Sequence, residues 1–436
     1  MKSFKPPLRQ SVLILFRCLV VFALSGCIST PKPVLAVNSP EHWDRPYVVL
    51  VSFDGFRADY AQKFRSPQLQ AMSTGGVTAE GLIPVYPSKT FPNHYSIATG
   101  LYADRHGVVA NSFYDPGRDA NYSIEKTKTV QDGSWYGGEP LWSVAIRQGM
   151  LASSFFWVGS EAEINGIRPT QYRIYDKKVP NQERLKTAMR WLALPKAQRP
   201  HLILLYFSDV DSAAHEFGTE SSEVKTAVAD LDGILGQLRK GIAATGLPVN
   251  LLLVSDHGMQ DLDKNKIEYP DDYADLSGFQ VLERGPQMLL YLNKGESPEQ
   301  LQTTYLQLKA KARHFSVFKR EDMPEELHFS RTARCGDLVL VARSPYSLML
   351  STDLRSIPAA NHGYPPKEDK AMWGIFYAEG PAFKSGGKLA ALENINVYPL
   401  VLKLLGLKAP ADIDGRITPF LPVLRPEFRE KLEFVR

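Results

Sequence analysis

Three mostly apolar runs of seven residues, each closed by an acid, leave this chain few folds to choose from. Tyr47-Val-Val-Leu-Val-Ser-Phe53 leads into Asp54, His201-Leu-Ile-Leu-Leu-Tyr-Phe207 into Ser208-Asp209-Val210-Asp211, and Val249-Asn-Leu-Leu-Leu-Val-Ser255 into Asp256-His257-Gly258. Runs this continuous read as strands covered on both faces, the condition of strands in a parallel sheet. Helical patterns at Glu139 to Gln148, Gln182 to Leu194 and Glu223 to Ala244 fall between them, the last closed by Thr245-Gly246. Strand and helix therefore alternate through most of the chain, which argues an α/β fold with a central, mainly parallel sheet flanked by helices. Ligands bind beyond the carboxyl ends of such strands, so the three acids are expected to converge.

With 436 residues, 44% hydrophobic and 22% charged, the chain can bury a large core and is not a disordered sequence. A second pattern interrupts the alternation from about Glu296 to Arg343. There a helix at Pro298 to Arg313 is flanked by the strand-like runs Met288-Leu-Leu-Tyr-Leu292 and Asp337-Leu-Val-Leu-Val-Ala342. This reads as a small α+β insertion, about 288–343, within a single catalytic domain spanning 45–436. Ala371-Met-Trp-Gly-Ile-Phe-Tyr-Ala378 and a helix at Ile395 to Leu405 bring the chain back to the core. Residues 102–138 and 260–286 are polar and read as long loops at the rim of a site.

Lys2, Lys5 and Arg9 precede the apolar runs Ser11-Val-Leu-Ile-Leu-Phe16 and Cys18-Leu-Val-Val-Phe-Ala-Leu24, the layout of a signal peptide over residues 1–26. Leu24-Ser25-Gly26-Cys27 resembles the bacterial lipobox. That implies cleavage before Cys27, lipid on its thiol, and a membrane-anchored lipoprotein facing the periplasm or the cell exterior. Arg17 interrupts the apolar run, and simple secretion or an uncleaved anchor stand as alternatives. The proline-bearing residues 27–44 read as a tether between lipid and globule. Loss of residues 1–26 removes four basic and no acidic residues, taking the formal charge from +4 to zero. No basic field then attracts long nucleic acid, and no protein partner is inferred. Of the three cysteines only Cys335 would remain free, so the mature chain has no intrachain disulfide and Cys335 reads as packing.

The chemistry gathers at the strand ends. Asp211 and His215 are four residues apart and face the same side of a helix, whereas Asp209 is out of phase with His215. Asp256-His257 is an adjacent pair before Gly258, and Asn361-His362-Gly363-Tyr364 adds a histidine in a glycine-containing loop. Three aspartates and three histidines divide into two three-ligand sets, the number that catalytic zinc sites use. One division is Asp54, Asp256 and His257 against Asp211, His215 and His362. Two ions about 4 Å apart clamp both the attacking and the leaving oxygens of a displacement at phosphorus. In Tyr86-Pro-Ser-Lys-Thr90-Phe-Pro-Asn-His-Tyr95, Thr90 sits ahead of a helix whose first turn holds Pro92. Taken alone, Ser88 or Thr90 reads as a helix cap. Beside the ligand sets, Thr90 is a hydroxyl nucleophile that a metal could activate, completing the first set.

These motifs, from about Arg45 to the C-terminus, resemble the nucleotide pyrophosphatase/phosphodiesterase family of the alkaline phosphatase superfamily. They are Val51-Ser-Phe-Asp54-Gly-Phe-Arg57, Lys89-Thr90-Phe-Pro-Asn-His94, Thr99-Gly-Leu-Tyr102 with His106-Gly107 and Asn111, Asp211-Ser-Ala-Ala-His215, Ser255-Asp256-His257-Gly258-Met259, and Asn361-His362-Gly363. The resemblance implies an alkaline phosphatase-like fold, two Zn2+ and Thr90 as the nucleophile. Nucleotide substrates would be cleaved through a covalent phospho-threonine to nucleoside 5′-monophosphates. It implies that Asn111 donates to a phosphate oxygen beside the Phe91 N–H, and that Phe91 and Tyr206 flank the base, with Tyr175 also lining the pocket. Without the family, Asn111 reads as a turn residue and Tyr206 as a core aromatic at a strand end. The chain departs from the animal members in lacking their cysteine-rich modules and long C-terminal domain, and in reading Asp209-Val210-Asp211 where many relatives have an acid followed by Pro-Asp. The alternatives are a phospholipid or choline phosphodiesterase, a phosphate monoesterase, and a non-catalytic metal- or nucleotide-binding surface lipoprotein.

Overall fold

The strand expected at Tyr47–Phe53 forms with those bounds, and all seven of its residues are buried. In this computed structural model, which describes residues 36–354 and 356–429, it lies inside an eight-stranded sheet. The signal peptide, Cys27 and the first part of the tether lie outside the described residues. The order across the sheet is Gly387–Leu389, Val77–Ala79, Phe376–Glu379, Val249–Val254, Tyr47–Phe53, Leu202–Phe207, Ala152–Phe155 and Gln171–Arg173. Tyr47–Phe53 pairs in parallel with Leu202–Phe207 on one side and Val249–Val254 on the other. Phe376–Glu379 alone runs against its neighbours. The sheet is thus mainly parallel, and the three acid-bearing strand ends emerge side by side.

Alternate residues of the central strand enter different cores. Val48 and Leu50 join one apolar cluster and Val49 and Val51 another, so both faces are covered as the continuous apolar run requires. The expected helices form as Leu141–Arg147, Asn181–Leu192 and Ser222–Thr245. The last is closed by Gly246 at φ 64, a conformation that glycine adopts without steric cost. Val397–Leu405 is preceded by a 3-10 turn at Asn394–Asn396.

Three expectations about boundaries change. The insertion begins at Phe279, not Met288: its antiparallel sheet runs Phe279–Leu282, Gln287–Leu292, Leu338–Ala342, Phe315–Lys319, with the helix Pro298–Lys311 and its own core around Met288, Leu290 and Leu340. The stretch 102–138 carries a hairpin, Ser112–Asp115 against Ala120–Ser123, in place of an irregular loop. The tether ends earlier than residue 44. Asn38 is buried, its Nδ2 donates to the Arg199 carbonyl at 2.7 Å, and its Oδ1 accepts the Leu151 N–H at 2.8 Å. Among the described residues no helix is long and apolar enough to cross a membrane.

Candidate active site

Each strand end contributes to one cluster. Asp54 follows Tyr47–Phe53, and Asp256 and His257 follow Val249–Val254. Leu202–Phe207 passes into the helix Asp209–Phe217, which presents Asp211 and His215 one turn apart. His362 follows the short strand Ala360–Asn361, pinned antiparallel to Gln260–Asp261. His257 Nε2 lies 3.4 Å from Asp54 Oδ1 and 3.0 Å from Asp256 Oδ2. Asp211 Oδ1 is 3.4 Å from His215 Nε2 and 3.6 Å from His362 Nε2, and those two nitrogens are 3.2 Å apart. The rings of His257 and His362 stack with centroids 3.6 Å apart, which ties the two halves together.

The protons on these imidazoles follow from their outer contacts. Nδ1 of His257 faces the Gly258 carbonyl at 2.9 Å, that of His362 the Ser88 carbonyl at 2.7 Å, and that of His215 the Ala360 carbonyl at 2.8 Å. A carbonyl only accepts, so each Nδ1 carries the proton and each Nε2 turns a lone pair inward. The facing oxygens Asp54 Oδ1, Asp211 Oδ1 and Asp256 Oδ2 are buried and receive no hydrogen bond. Lone pairs gathered without donors are costly inside a protein, and a divalent cation removes that cost. Carboxylate oxygens with imidazole nitrogens form the donor set of a metal site. Two groups have ligand atoms within 4.8 Å of one another: Asp54, Asp256 and His257, and Asp211, His257 and His362. The first is the expected set. The second exchanges His215 for His257, while the distances around Asp211 keep His215 in the same cluster. Asp209 faces away, its Oδ1 accepting from Asn181 Nδ2 at 2.8 Å, so Asp211 is the inward acid.

Electrostatics separates the two deepest acids. Burial, then the charges of Asp256 and Asp211, raise the Asp54 pKa well above the usual carboxylate value. Burial pushes Asp256 the same way, but the His257 and His94 rings, in their protonated forms, outweigh it and hold its carboxyl well below that value. Burial, followed by the neighbouring His257 and Lys89, holds His362 in its neutral form.

Thr90 opens the helix Thr90–Thr99, with Lys89 extended ahead of it and Pro92 in its first turn. Its Oγ lies 3.2 Å from His257 Nε2, the nitrogen that faces Asp54 and Asp256. Neither Thr90 nor Ser88 is a helix cap: the terminus has no side-chain cap bond, and Ser88 Oγ donates to the Tyr364 carbonyl. Asn111 Oδ1 accepts the Phe91 N–H at 3.2 Å, which places its amide beside the start of the Thr90 helix. The cluster, the nucleophile candidate and Asn111 are therefore brought together.

The aromatic expectation changes. Tyr206 is 7% exposed and its hydroxyl donates to Asp54 Oδ2 at 2.5 Å, which leaves little ring to face a base. Tyr175 is the open aromatic on that side, 45% exposed and edge-on to Tyr206 at 6.0 Å, while Phe91 packs against Tyr122. Sequence reasoning also passed over His94. Its Nδ1 lies 2.9 Å from the Thr90 carbonyl and 3.2 Å from Asp256 Oδ2, and its Nε2 is 2.8 Å from Ser52 Oγ. The signal was the four-residue spacing from Thr90, which puts both on one helix face.

The type I phosphodiesterase/nucleotide pyrophosphatase family matches residues 48–365. A venom phosphodiesterase of Naja atra is 35% identical over 388 residues, covering 87% of this chain and 46% of that protein. Ectonucleotide pyrophosphatase/phosphodiesterase family member 3 of Bos taurus is 35% identical over 417 residues, covering 93% of this chain and 46% of that protein. The chain thus spans about half the length of these relatives. Among solved structures, murine ectonucleotide pyrophosphatase/phosphodiesterase 5, an inactive variant in complex with AMP, superposes with a TM-score of 0.82 at 29% identity, covering 87% of this chain and 100% of that one. On this match and the strand-end cluster that lies within it, the chain belongs to the type I phosphodiesterase/nucleotide pyrophosphatase family.

Proposed function

We propose that the protein is a zinc-dependent hydrolase of phosphodiester and pyrophosphate bonds in nucleotides, acting through phospho-Thr90 and releasing nucleoside 5′-monophosphates. The observation that carries this is the Thr90 hydroxyl, 3.2 Å from His257 Nε2, at the edge of a nest of unpartnered carboxylate oxygens and imidazole lone pairs. Asp54, Asp256, His257 and Thr90 would hold one Zn2+, and Asp211, His215 and His362 the other. Bound zinc supplies positive charge that acidifies a coordinated hydroxyl and neutralises phosphoryl oxygens. Thr90 Oγ attacks phosphorus, forming an O–P bond as the bond to the leaving oxygen breaks; the bonding pair departs with that oxygen and the threonine proton passes to solvent. Water then attacks the same phosphorus, the bond to Thr90 Oγ breaks, and the threonine hydroxyl is restored.

The chain's own residues do the positioning. The Phe91 N–H, which donates to Asn111 Oδ1 at 3.2 Å, and the Asn111 amide lie side by side next to Thr90, and would exchange that bond for bonds to a non-bridging oxygen where charge gathers. Phe91 and the exposed Tyr175 offer ring faces to a base, and stacking tolerates any base. The AMP complex of the murine relative supports a nucleotide as ligand. The sequence around Cys27 supports export and lipid anchorage. A Cys27→Ser form that stayed with the membrane fraction would remove the anchor from this reading.

The test compares a nitrophenyl ester of thymidine 5′-monophosphate with nitrophenyl phosphate on zinc-loaded protein. The expected result is a strong preference for the nucleotide diester, lost in Thr90→Ala by a factor of about 10³ or more. A preference for the monoester would reject the diesterase assignment.

A further inference from the structure

Asn111 stands at the edge of open space. A cleft of about 560 Å³ between the body and the insertion is lined on one side by Asn111 and Ser112 and on the other by Glu283, Arg284 and Gly285, with Asn361 at the end next to His362. Its side chain is tied to the body by one hydrogen bond, from the Phe91 N–H. What crosses the cleft to hold the Asn111 turn is Glu283. Its Oε1 accepts the Ser112 N–H at 2.7 Å. Burial raises the pKa of this carboxyl, while Lys89 and the Ser112 and Asn111 N–H groups draw it back.

The backbone at Glu283 is fixed with unusual care. It has φ 61, a left-handed conformation that costs a non-glycine residue of order 1 kcal/mol or more and persists where the surroundings impose it. The surroundings do impose it. Arg284 pairs through Nε with Asp353 Oδ2 at 3.0 Å and donates through Nη1 to the Glu283 carbonyl at 2.7 Å. Gly285 lies so close to Asn361 that a Cβ there would come within 2.7 Å of Asn361 Nδ2. The turn joining the insertion's first two strands is thereby braced against the neighbour of His362, and Glu283 is aimed at the backbone beside Asn111.

We propose that Glu283 is a positioning residue for the reaction: through the backbone at residues 111 and 112 it holds the Asn111 amide where a phosphoryl oxygen gathers charge, and so couples the insertion to the site. The inference rests on the diesterase reading above. Glu283 touches neither the substrate nor the ligand cluster and acts only through Asn111.

The experiment is a double-mutant cycle on the nitrophenyl ester of thymidine 5′-monophosphate, with zinc content measured for every variant. Glu283→Ala is expected to lower kcat about 30-fold with KM within about twofold, the pattern of an interaction realised in the transition state. Glu283→Gln keeps an acceptor oxygen and is expected to restore most of that loss. Asn111→Ala is expected to cost about 100-fold, and adding Glu283→Ala to it should cost no more than about twofold further, because the group being positioned is gone. Independent, multiplying losses would overturn the proposal, as would a loss carried by KM or by zinc content. If the parent chain does not turn over the diester, the underlying reading fails instead, an outcome distinct from an additive cycle in an active enzyme.

Discussion

Asp54 shows how much of this site is held from behind. Its Oδ1 faces the cluster without a partner while its Oδ2 accepts the Tyr206 hydroxyl at 2.5 Å. Tyr206→Phe removes that donor and keeps the ring, so the cores beside it persist while Asp54 is free to turn. Partners behind metal ligands are typically worth 10- to 100-fold in metal affinity, and a loss of about tenfold is expected in competition with a chelator, with little change in the far-ultraviolet spectrum. The candidate ligands Asp54, Asp256 and His257 were legible because strand ends in a parallel sheet converge, and acids and histidines at those ends need no further geometry. Tyr206 was less so. A tyrosine at a strand end reads as core or as pocket, and only the register placing it opposite Ser52, with Asp54 just beyond, shows that its hydroxyl reaches a ligand. Glu283 left no trace in the sequence, because its role depends on a left-handed backbone and on a segment far away in the chain.

Elements read well where their burial is uniform and poorly where polar side chains are buried in them. Ala152–Phe155 is a fully buried strand of the main sheet, yet Ser153 and Ser154 interrupt its apolar pattern. Their hydroxyls are satisfied inside, Ser154 Oγ at 2.8 Å from Ser160 Oγ and Ser153 Oγ at 3.3 Å from Gln171 Oε1, so the strand needs no apolar run. The hairpin in 102–138 was hidden for a related reason: Phe113 and Tyr122 stack across it at 4.9 Å among residues that are otherwise polar. The opposite, N-terminal end of the sheet carries a separate prediction. His201 stacks on Tyr47 at 4.3 Å, its Nδ1 faces the Pro46 carbonyl, and burial pulls its pKa from 6.5 down to about 4. Between those values the unfolded chain binds a proton that the folded chain refuses. Stability is therefore fully present above pH 6.5 and falls as pH drops toward about 4, by roughly 1.4 kcal/mol per unit from this residue. His201→Phe should flatten the slope of unfolding free energy against pH in that window by about this amount. An unchanged slope would place the titration elsewhere.

At the scale of the molecule the insertion packs into the body, with Leu289, Tyr291, Phe329 and Val339 in the apolar cluster that holds Val48 and Leu50, and polar contacts add to that packing. Arg334 bonds Asp115 Oδ2 through Nε at 2.8 Å and gives Nη1 to the carbonyls of Gly107 and Trp135 at 2.9 and 2.8 Å. Asp115 Oδ1 would still accept the Gly117 N–H, but Arg334→Ala would leave Asp115 Oδ2 and two carbonyls without donors, and a loss of about 3 kcal/mol in urea unfolding is expected. Arg334→Lys should recover little, since an ammonium cannot serve all three acceptors in one plane. An unfolding midpoint unmoved by Arg334→Ala would mean that the insertion stands without this contact.

The two metal-ready groups are scattered along the chain in an order that sets a timetable. Asp54, Asp256 and His257 are all present once residue 257 has been made, and their two strands are direct neighbours. The group around Asp211 waits for His362, which arrives only after the whole insertion has been threaded between Val249–Val254 and its sheet neighbour Phe376–Glu379. An emerging chain therefore holds every side chain of one position well before those of the other, which is complete only once residue 362 has been made.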